Sequence, residues 1–243
     1  MQFIEKFKLT HRALKYKNRD DIGGIAYINN AVKEGNTVLD IGAHKGGYLY
    51  FMQKLVGKEG QVHAFEPQTL LFQYLEKMKP IMHWDHVTIN NIALSDNDTP
   101  ATLYIPSNLT GQSSSPSATI FDQHTLGVVS KTETVLTTTL DLYCEKHHLQ
   151  PNVLKIDVEG NELKVFKGGL HILQKYKPKI IVEIEAIHVG KEQVLETFSF
   201  LSQLGYQGKI IHGTNHIPLA EFSFEKYQNG DDKKNYCNNF IFE

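Results

Sequence analysis

The chain has 243 residues, of which 41% are hydrophobic and 21% are charged, and its formal net charge is −2. This composition is typical of a compact globular protein, and the charge gives no overall argument for nucleic-acid binding. The sequence also lacks any apolar run long enough for a membrane span or a signal-peptide core. Its two cysteines, Cys144 and Cys237, lie far apart without Cys-x-x-Cys spacing. We therefore expect one α/β domain in a reducing, cytoplasmic setting.

The first 35 residues predict a helical extension that is locally basic. Its basic residues are Lys6, Lys8, Arg12, Lys15, Lys17 and Arg19, against Glu5 and Asp20. A solvated helix face explains this pattern. Residues 36–243 then form the predicted single domain.

From residue 36 onward, short β-branched runs alternate with amphipathic stretches. This alternation predicts βα units and a mainly parallel sheet. The predicted strands are 37–41, 61–65, 87–92, 153–156, 180–185, 209–212 and 237–242. The predicted helices are 47–56, 69–78, 139–148, 162–174 and 193–204.

The alternation is interrupted over about residues 100–138. A short strand at 101–105 and a second at 133–138 flank a polar stretch that contains Gly111, Ser113, Ser114, Ser115, Pro116 and Ser117. These features predict an inserted hairpin whose loop lies over the mouth of the site as a substrate lid. A surface loop without a catalytic role is the alternative.

A glycine-rich turn follows the first predicted strand, in the sequence Val38-Leu-Asp-Ile-Gly-Ala-His-Lys-Gly-Gly47. The next strand ends in Glu66 and Pro67, at the separation that a Rossmann unit needs between its turn and its ribose-binding acid. The pattern predicts a nucleotide-type cofactor. A dinucleotide fingerprint needs a glycine at the position of His44, and this bulky residue disfavours NAD.

A second acidic motif follows the predicted strand 153–156, in the order Asp157-Val-Glu159-Gly160. Open α/β sheets bind ligands beyond the carboxyl ends of their strands, and Gly160 permits a sharp departure into the next helix. We therefore assign Asp157 and Glu159 to the site. We assign Lys155 and Glu162 mainly to structural roles.

Six motifs in order resemble those of the FkbM-type methyltransferase family, from about residue 36 to residue 190. They are residues 38–46, 64–67, 91–96, 139–141, 154–162 and 181–185. The resemblance implies a class I methyltransferase (Rossmann-like) α/β fold. It also implies a seven-stranded, mainly parallel sheet whose last strand is antiparallel, with helices on both faces and an inserted lid. S-adenosylmethionine is the implied cofactor, and O-methylation of a sugar, glycan or secondary metabolite is the implied reaction.

The resemblance also implies the residues that hold the cofactor. Asp40, Gly42, Ala43, His44, Gly46, Gly47, Glu66 and Pro67 would contact its methionine and ribose parts, and Ala93 and Asp96 would lie near its adenine. His44 stands where this family commonly has Asn, and Tyr48 where it often has Ser or Thr. These departures leave open which residues contact the methionine carboxylate.

Methyl transfer to an alcohol requires removal of the hydroxyl proton. His188, Asp157 and Glu159 are the candidate catalytic residues, because imidazole titrates near neutral pH and burial raises the pKa of a carboxyl group. Carboxylates at these strand ends suit Mg²⁺, but nothing in their spacing demands a metal, and we predict none.

Two other functions remain open at this stage. One is an NAD-linked oxidoreductase of a sugar nucleotide, although the chain has no Tyr-x-x-x-Lys pair. The other is a non-catalytic cofactor-binding module in a glycan-assembly complex, contacted through the basic first helix. For the enzyme we expect a small-molecule or glycan acceptor, no nucleic acid and no membrane span. The sequence does not predict the oligomeric state.

Overall fold

A computed structural model describes residues 2–106, 118–120 and 129–243, without the side chains of Val129 and Ser130. The polar stretch from Gly111 to Ser117, which the sequence predicts to form the lid loop, lies outside the described residues.

Within the described residues, the strands form one eight-stranded sheet and two small two-stranded sheets. In chain order they are β1 (Thr37–Ile41), β2 (Gln61–Phe65), β3 (Val87–Asn90), β4 (Ala93–Ser95), β5 (Ala101–Pro106), β6 (Val129–Val135), β7 (Thr137–Thr139), β8 (Val153–Ile156), β9 (Lys179–Glu183), β10 (Gly208–His212), β11 (Asn215–Pro218) and β12 (Asn239–Phe242). The seven predicted strands of the main sheet are all present.

The main sheet has the strand order β11-β10-β12-β9-β8-β1-β2-β3. The strands from β9 to β3 are parallel, whereas β12 runs antiparallel between β9 and β10. The predicted fold class is therefore confirmed, including the antiparallel last strand. The described sheet has eight strands rather than seven, because β11 pairs with β10 through a turn at Gly213. The residues of β11 are mostly exposed and lack the apolar alternation that predicts a strand.

Helices cover both faces of the main sheet. Those in the described ranges are α1 (Gln2–Lys15), α2 (Ile22–Ala31), α3 (Leu49–Leu55), α4 (Thr69–Met82), α5 (Leu140–Lys146), α6 (Glu162–Lys167), α7 (Leu170–Tyr176), α8 (Ala186–Gln203) and α9 (Phe224–Tyr227). A π-helical turn, Tyr16–Asp20, joins α1 to α2, and a 3-10 turn, Leu219–Glu221, precedes α9.

The core has one large apolar cluster on each face of the sheet. The first contains buried residues of α1 to α4, with Leu9 and Trp84 fully buried. The second contains buried residues of α5 to α8, with Phe166 and Phe240 fully buried. The first 35 residues therefore belong to the packed core as well as to the surface.

Two helices differ from the prediction. The predicted helix 162–174 is divided into α6 and α7 at Gly168 and Gly169. The backbone leaves the helical conformation at Gly169, with φ −116° and ψ 18°. Gly168 is needed beside it because a Cβ there would lie 2.1 Å from the carbonyl oxygen of Ser95. The last long helix begins at Ala186 rather than near 193, and Gly190 with φ 80° interrupts it.

The described part of the insertion contains a hairpin, as predicted, but the predicted strand 133–138 is divided: its first residues belong to β6, and Thr137–Thr139 form β7, which pairs with β4. β5 and β6 pair antiparallel, and Tyr104 forms an isolated antiparallel bridge with Thr119. Residues 118–120 therefore lie beside β5. In the described ranges, no helix combines the length and the apolar character needed to cross a lipid bilayer. Cys144 and Cys237 are buried free thiols.

Candidate functional site

The glycine-rich turn after β1 is fixed by its two neighbouring strands. The backbone N–H groups of Gly42 and Ala43 both donate to the carbonyl of Phe65, at 3.0 Å each. Gly42 has φ +85°, and a Cβ there would lie 1.8 Å from the carbonyl oxygen of Asp157. Only glycine fits this position, because a side chain would meet strained backbone and the neighbouring chain together.

Glu66 follows β2 and accepts two backbone hydrogen bonds. Its Oε2 accepts from the N–H of His44 at 2.8 Å, and its Oε1 accepts from the N–H of Gln68 at 2.9 Å. The side chain is buried, and burial raises the pKa of this carboxyl to about 7, with the two hydrogen bonds opposing the shift. Each oxygen keeps a second lone pair for a ligand hydroxyl.

His44 has a left-handed backbone conformation, with φ 47°. Its Nε2 is buried and has no hydrogen-bond partner among the described residues. Burial lowers the pKa of this imidazole to about 4, so the ring is neutral at pH 7. His44 therefore offers the site a neutral, unpaired ring nitrogen rather than a positive charge.

Two adjoining cavities lie at this edge of the sheet. The first is a polar cleft of about 680 Å³, including the part open to solvent, and its lining residues are Arg12, Tyr16, Ala43, His44, Gly47, Tyr48, Glu66, Pro67, Gln68, Ala118, Asp157 and Glu159. The second is an apolar slot of about 360 Å³, measured in the same way, and its lining residues are Ile41, Gly42, Phe65, Pro67, Ile92, Ala93, Leu94, Leu103, Ala118, Ile120, Val158 and Asn161. Pro67 and Ala118 line both cavities, so the described part of the insertion contributes to both walls.

Most of the predicted cofactor residues lie in these walls. The cleft contains Ala43, His44, Gly47, Glu66 and Pro67, and the slot contains Gly42, Pro67 and Ala93.

Three predicted cofactor residues lie outside both sets of lining residues. A Cβ at Gly46 would face Leu75 and Trp84 in the core. The exposed Asp96 accepts hydrogen bonds from Ser95 and Asn97. Asp40 is completely buried within β1, where its Oδ1 lies 3.7 Å from the ammonium of Lys155.

Lys155, which the sequence interpretation treats as structural, forms the centre of a buried charge cluster. Its ammonium donates to the Gly42 carbonyl at 3.0 Å and to Asp157 Oδ2 at 3.2 Å, and it lies 3.7 Å from Asp40 Oδ1. Burial alone would lower the pKa of Lys155, but the charges of Asp157 and Asp40 outweigh it and raise the pKa. Lys155 therefore connects β1, the glycine turn and the carboxylate of Asp157. The sequence does contain one signal for this role, because Lys155 is the only charged residue in the otherwise apolar strand β8.

Glu159 is held by His188. The backbone of Glu159 has φ 53°, and its Oε2 lies 3.0 Å from Nε2 of His188, which lies 3.5 Å from Oε2 of Glu185. The hydrogen bond that His188 donates to the Glu159 carboxylate raises the pKa of His188 above its ordinary value. His188 is outside the set of residues that line the cleft, whereas Glu159 and Asp157 are within it. This geometry favours the two carboxylates over His188 as groups that contact an acceptor.

Glu183 and Glu185 are bridged by an amide rather than by a cation. Nδ2 of Asn238 donates to Oε1 of Glu183 at 2.6 Å and to Oε1 of Glu185 at 2.5 Å. Burial and the neighbouring acidic charges raise the pKa of Glu183 well above its usual range. In the described ranges, no three His, Cys, Asp or Glu side chains are placed to hold one metal ion.

Arg12 and Tyr16 reach the cleft from the first 35 residues, which the motif pattern could not reveal. The guanidinium Nη1 of Arg12 donates to the Lys45 carbonyl at 3.1 Å, within the glycine-rich turn. The expectation of a solvated basic face is therefore wrong for Arg12. The other basic side chains of the segment are exposed, apart from their ion pairs.

Comparison with protein-family models gives one match, a methyltransferase FkbM domain over residues 40–207. No curated protein matches the sequence. Arg12 and Tyr16 lie before the matched range, although they line the same cleft as its residues.

Solved structures with a similar fold include an FkbM methyltransferase from Methylobacillus flagellatus. It is 15% identical with a TM-score of 0.53, and the alignment covers 96% of this chain and 53% of that chain. Another is an S-adenosylmethionine-dependent O-methyltransferase from Thermotoga maritima, 14% identical with a TM-score of 0.48, covering 90% of this chain and 63% of that chain. This chain thus spans about half and about three-fifths of their lengths. At 15% identity and a TM-score of 0.53, the Methylobacillus flagellatus structure supports a similar fold and nothing further.

Proposed function

This chain belongs to the FkbM methyltransferase family, and we propose that it transfers the methyl group of S-adenosylmethionine to a hydroxyl of a sugar, glycan or secondary metabolite. The family and the α/β fold support a methyltransferase with S-adenosylmethionine as its cofactor. The observation that carries the proposal is an acidic cleft that adjoins an apolar slot, with Glu66 between the glycine turn and Gln68.

The residues of the two cavities fit the parts of this cofactor. The slot offers a flat purine the apolar surfaces of Phe65, Ile92 and Leu94. The carboxylate of Glu66 has acceptor capacity for two vicinal ribose hydroxyls. Asp157 and Glu159 present negative charge to a ligand that carries a sulfonium and an ammonium group.

When bound, the cofactor supplies an electrophilic methyl group. An acceptor hydroxyl that receives this methyl group would have to release its proton to a base of the protein. We assign this proton to a carboxylate oxygen of Glu159. Burial raises the pKa of this residue, and His188 and the positive φ of its backbone fix its orientation.

Asp157 has a different proposed role because Lys155 already binds its Oδ2. This contact fixes the side chain at the boundary between the glycine turn and the acceptor side of the cleft. We propose that Asp157 positions the acceptor hydroxyl and the cofactor ammonium. Neither carboxylate requires a metal for these roles.

We propose that the chain works in a reducing, cytoplasmic compartment. Its two cysteines, which are buried free thiols, are consistent with this setting. We propose a small-molecule or glycan acceptor rather than nucleic acid, because the cleft wall is rich in carboxylates, which repel phosphates. The family match does not favour the NAD-linked oxidoreductase.

Transfer of a radiolabelled methyl group tests the proposal. The chain is incubated with methyl-labelled S-adenosylmethionine and separate pools of sugars, nucleotide sugars, glycolipids, phenolic metabolites and RNA. We expect labelling in a hydroxyl-bearing pool, a loss of about 100-fold or more in Glu159→Gln, and little change in the exposed control Glu196→Gln. Labelling of RNA alone would overturn the acceptor class. Cofactor binding without labelling of any pool would favour the non-catalytic module.

A further inference from the structure

The unassigned end of the cofactor is its methionine carboxylate, because His44 replaces the residue that this family commonly has there. We propose that Arg12, on helix α1 and before the matched family domain, binds this carboxylate. The inference rests on the proposed function, since it requires S-adenosylmethionine in the cleft. It makes the N-terminal helix part of the cofactor site.

The charge of the cleft wall supports this assignment. Glu66, Asp157 and Glu159 are its three carboxylates, and Arg12 is the only lysine or arginine among the described lining residues. S-adenosylmethionine carries two positive groups and one carboxylate. The carboxylates suit the positive groups, whereas the ligand carboxylate needs a cation, and Arg12 supplies one.

His44 does not supply that charge. Its imidazole is neutral near pH 7, because burial lowers its pKa to about 4. The unpaired Nε2 of His44 can join one hydrogen bond, but a neutral ring gives a carboxylate no ionic attraction. Lys155, the nearby buried cation, is bonded to Asp157 and the Gly42 carbonyl and is outside the lining set.

Arg12 also has N–H donors that make no hydrogen bond to the described residues. Both of its hydrogen bonds, to the Lys45 carbonyl at 3.1 Å and to the Tyr74 hydroxyl at 3.4 Å, use Nη1. Within the described part of the chain, Nε and Nη2 make no hydrogen bond. A guanidinium presents such donors as a fork that matches a carboxylate.

The position of Arg12 is fixed by the packing of its helix. Leu9 and Ala13, on either side of Arg12 along the chain, are both fully buried. Tyr16 packs against Gly47, where a Cβ would lie 3.2 Å from the Tyr16 ring. The guanidinium is therefore held against the glycine turn before any ligand arrives, which reduces the entropy lost on binding.

Calorimetric titration with two matched ligands tests the assignment. S-adenosylmethionine and its decarboxylated analogue differ only in the carboxylate. We expect wild-type protein to prefer the intact cofactor, and Arg12→Gln to weaken its binding about 10- to 100-fold while changing affinity for the analogue less than about twofold. Arg19→Gln removes an exposed arginine that pairs with Asp20, and it serves as the control for net charge.

The outcomes separate this inference from the proposed function. If Arg12→Gln lowers the affinity for both ligands equally, or for neither, the role of Arg12 is overturned. The assignment of S-adenosylmethionine as the cofactor is unaffected by either result. Failure of wild-type protein to bind either ligand would overturn the proposed function itself. If Arg12→Gln does not fold, Arg12→Lys serves instead. It keeps the positive charge but removes the fork, so a smaller loss, again confined to the intact cofactor, is expected.

Discussion

Gly42 packs so closely against Asp157 that a Cβ on Gly42 would lie 1.8 Å from the Asp157 carbonyl oxygen. This contact joins the glycine-rich turn after β1 to the acidic segment after β8. The two halves of the candidate site are therefore in direct backbone contact.

Gly42→Ala is therefore expected to destabilise the protein far more than Gly35→Ala. Both glycines have a positive φ, +85° and +79°, but nothing lies within 4 Å of a Cβ at Gly35. The control thus carries the backbone strain alone, about 1–2 kcal/mol. Gly42→Ala adds a clash with backbone, and we expect a loss above about 4 kcal/mol or failure to fold. Urea unfolding measures the free energy of unfolding of both variants. Equal losses in the two variants would contradict the close contact between Gly42 and Asp157.

Lys155→Met is expected to lower the free energy of unfolding by about 3–5 kcal/mol, because it leaves the buried Asp40 without its cation. The control is Lys167→Met. Lys167 pairs with Glu196 at 2.8 Å, but both side chains are about half exposed, so about 0.5 kcal/mol or less is expected. Urea titration of both variants makes the comparison. A loss in Lys155→Met no larger than that of the control would show that the cluster contributes nothing to stability.

The affinity for S-adenosylhomocysteine is expected to fall as the pH is lowered through 7. Glu66 must be ionised to accept hydrogen bonds from both ribose hydroxyls, and burial raises its pKa to about 7 in the free site. Protonation then competes with binding, which costs up to about tenfold in affinity per pH unit below that value.

Calorimetry from pH 5.5 to pH 8.5 checks this, with Glu66→Gln as the matched variant. The variant should bind more weakly at pH 8 and lose the pH dependence in this window. A wild-type slope that persists unchanged in Glu66→Gln would assign the titration to another group.

His188 is expected to stabilise the fold more at low pH than at high pH. The hydrogen bond that its Nε2–H donates to the Glu159 carboxylate raises the folded-state pKa of His188. Its contribution is therefore complete below the ordinary imidazole pKa of about 6.5 and is lost as the pH rises through the folded pKa. We expect His188→Gln to cost more stability at pH 6 than at pH 9.

Unfolding in urea at the two pH values measures the difference. His171→Gln removes an exposed imidazole and should cost about the same at both. A cost for His188→Gln that is independent of pH would show that the protonated imidazole is not what holds Glu159.

The sheet could be predicted from the sequence because its strands are short apolar runs that end in glycine or carboxylate residues. β1, β2 and β8 have the predicted bounds, and parallel pairing brings Gly42, Glu66 and Asp157 to one edge. The eighth strand, β11, was missed because its residues are exposed and carry no period of two.

The remaining parts of the site depend on tertiary packing. Arg12 belongs to a basic helix whose pattern resembles any solvated face, and only the burial of Leu9 and Ala13 brings it to the glycine turn. His188 resembles a general base in the sequence because imidazole titrates near pH 7. Its contact with Glu159 appears only when α8 starts at Ala186 and turns the imidazole towards the end of β8.

We propose that this cleft holds S-adenosylmethionine through Glu66. Calorimetric titration of the purified chain with S-adenosylmethionine, S-adenosylhomocysteine and NAD⁺, beside Glu66→Ala, tests this role of Glu66. We predict micromolar binding of the two sulfur nucleosides, lost in Glu66→Ala, and no binding of NAD⁺. Binding of NAD⁺ alone would overturn the cofactor assignment, and sulfur-nucleoside binding that Glu66→Ala leaves unchanged would overturn the role of Glu66.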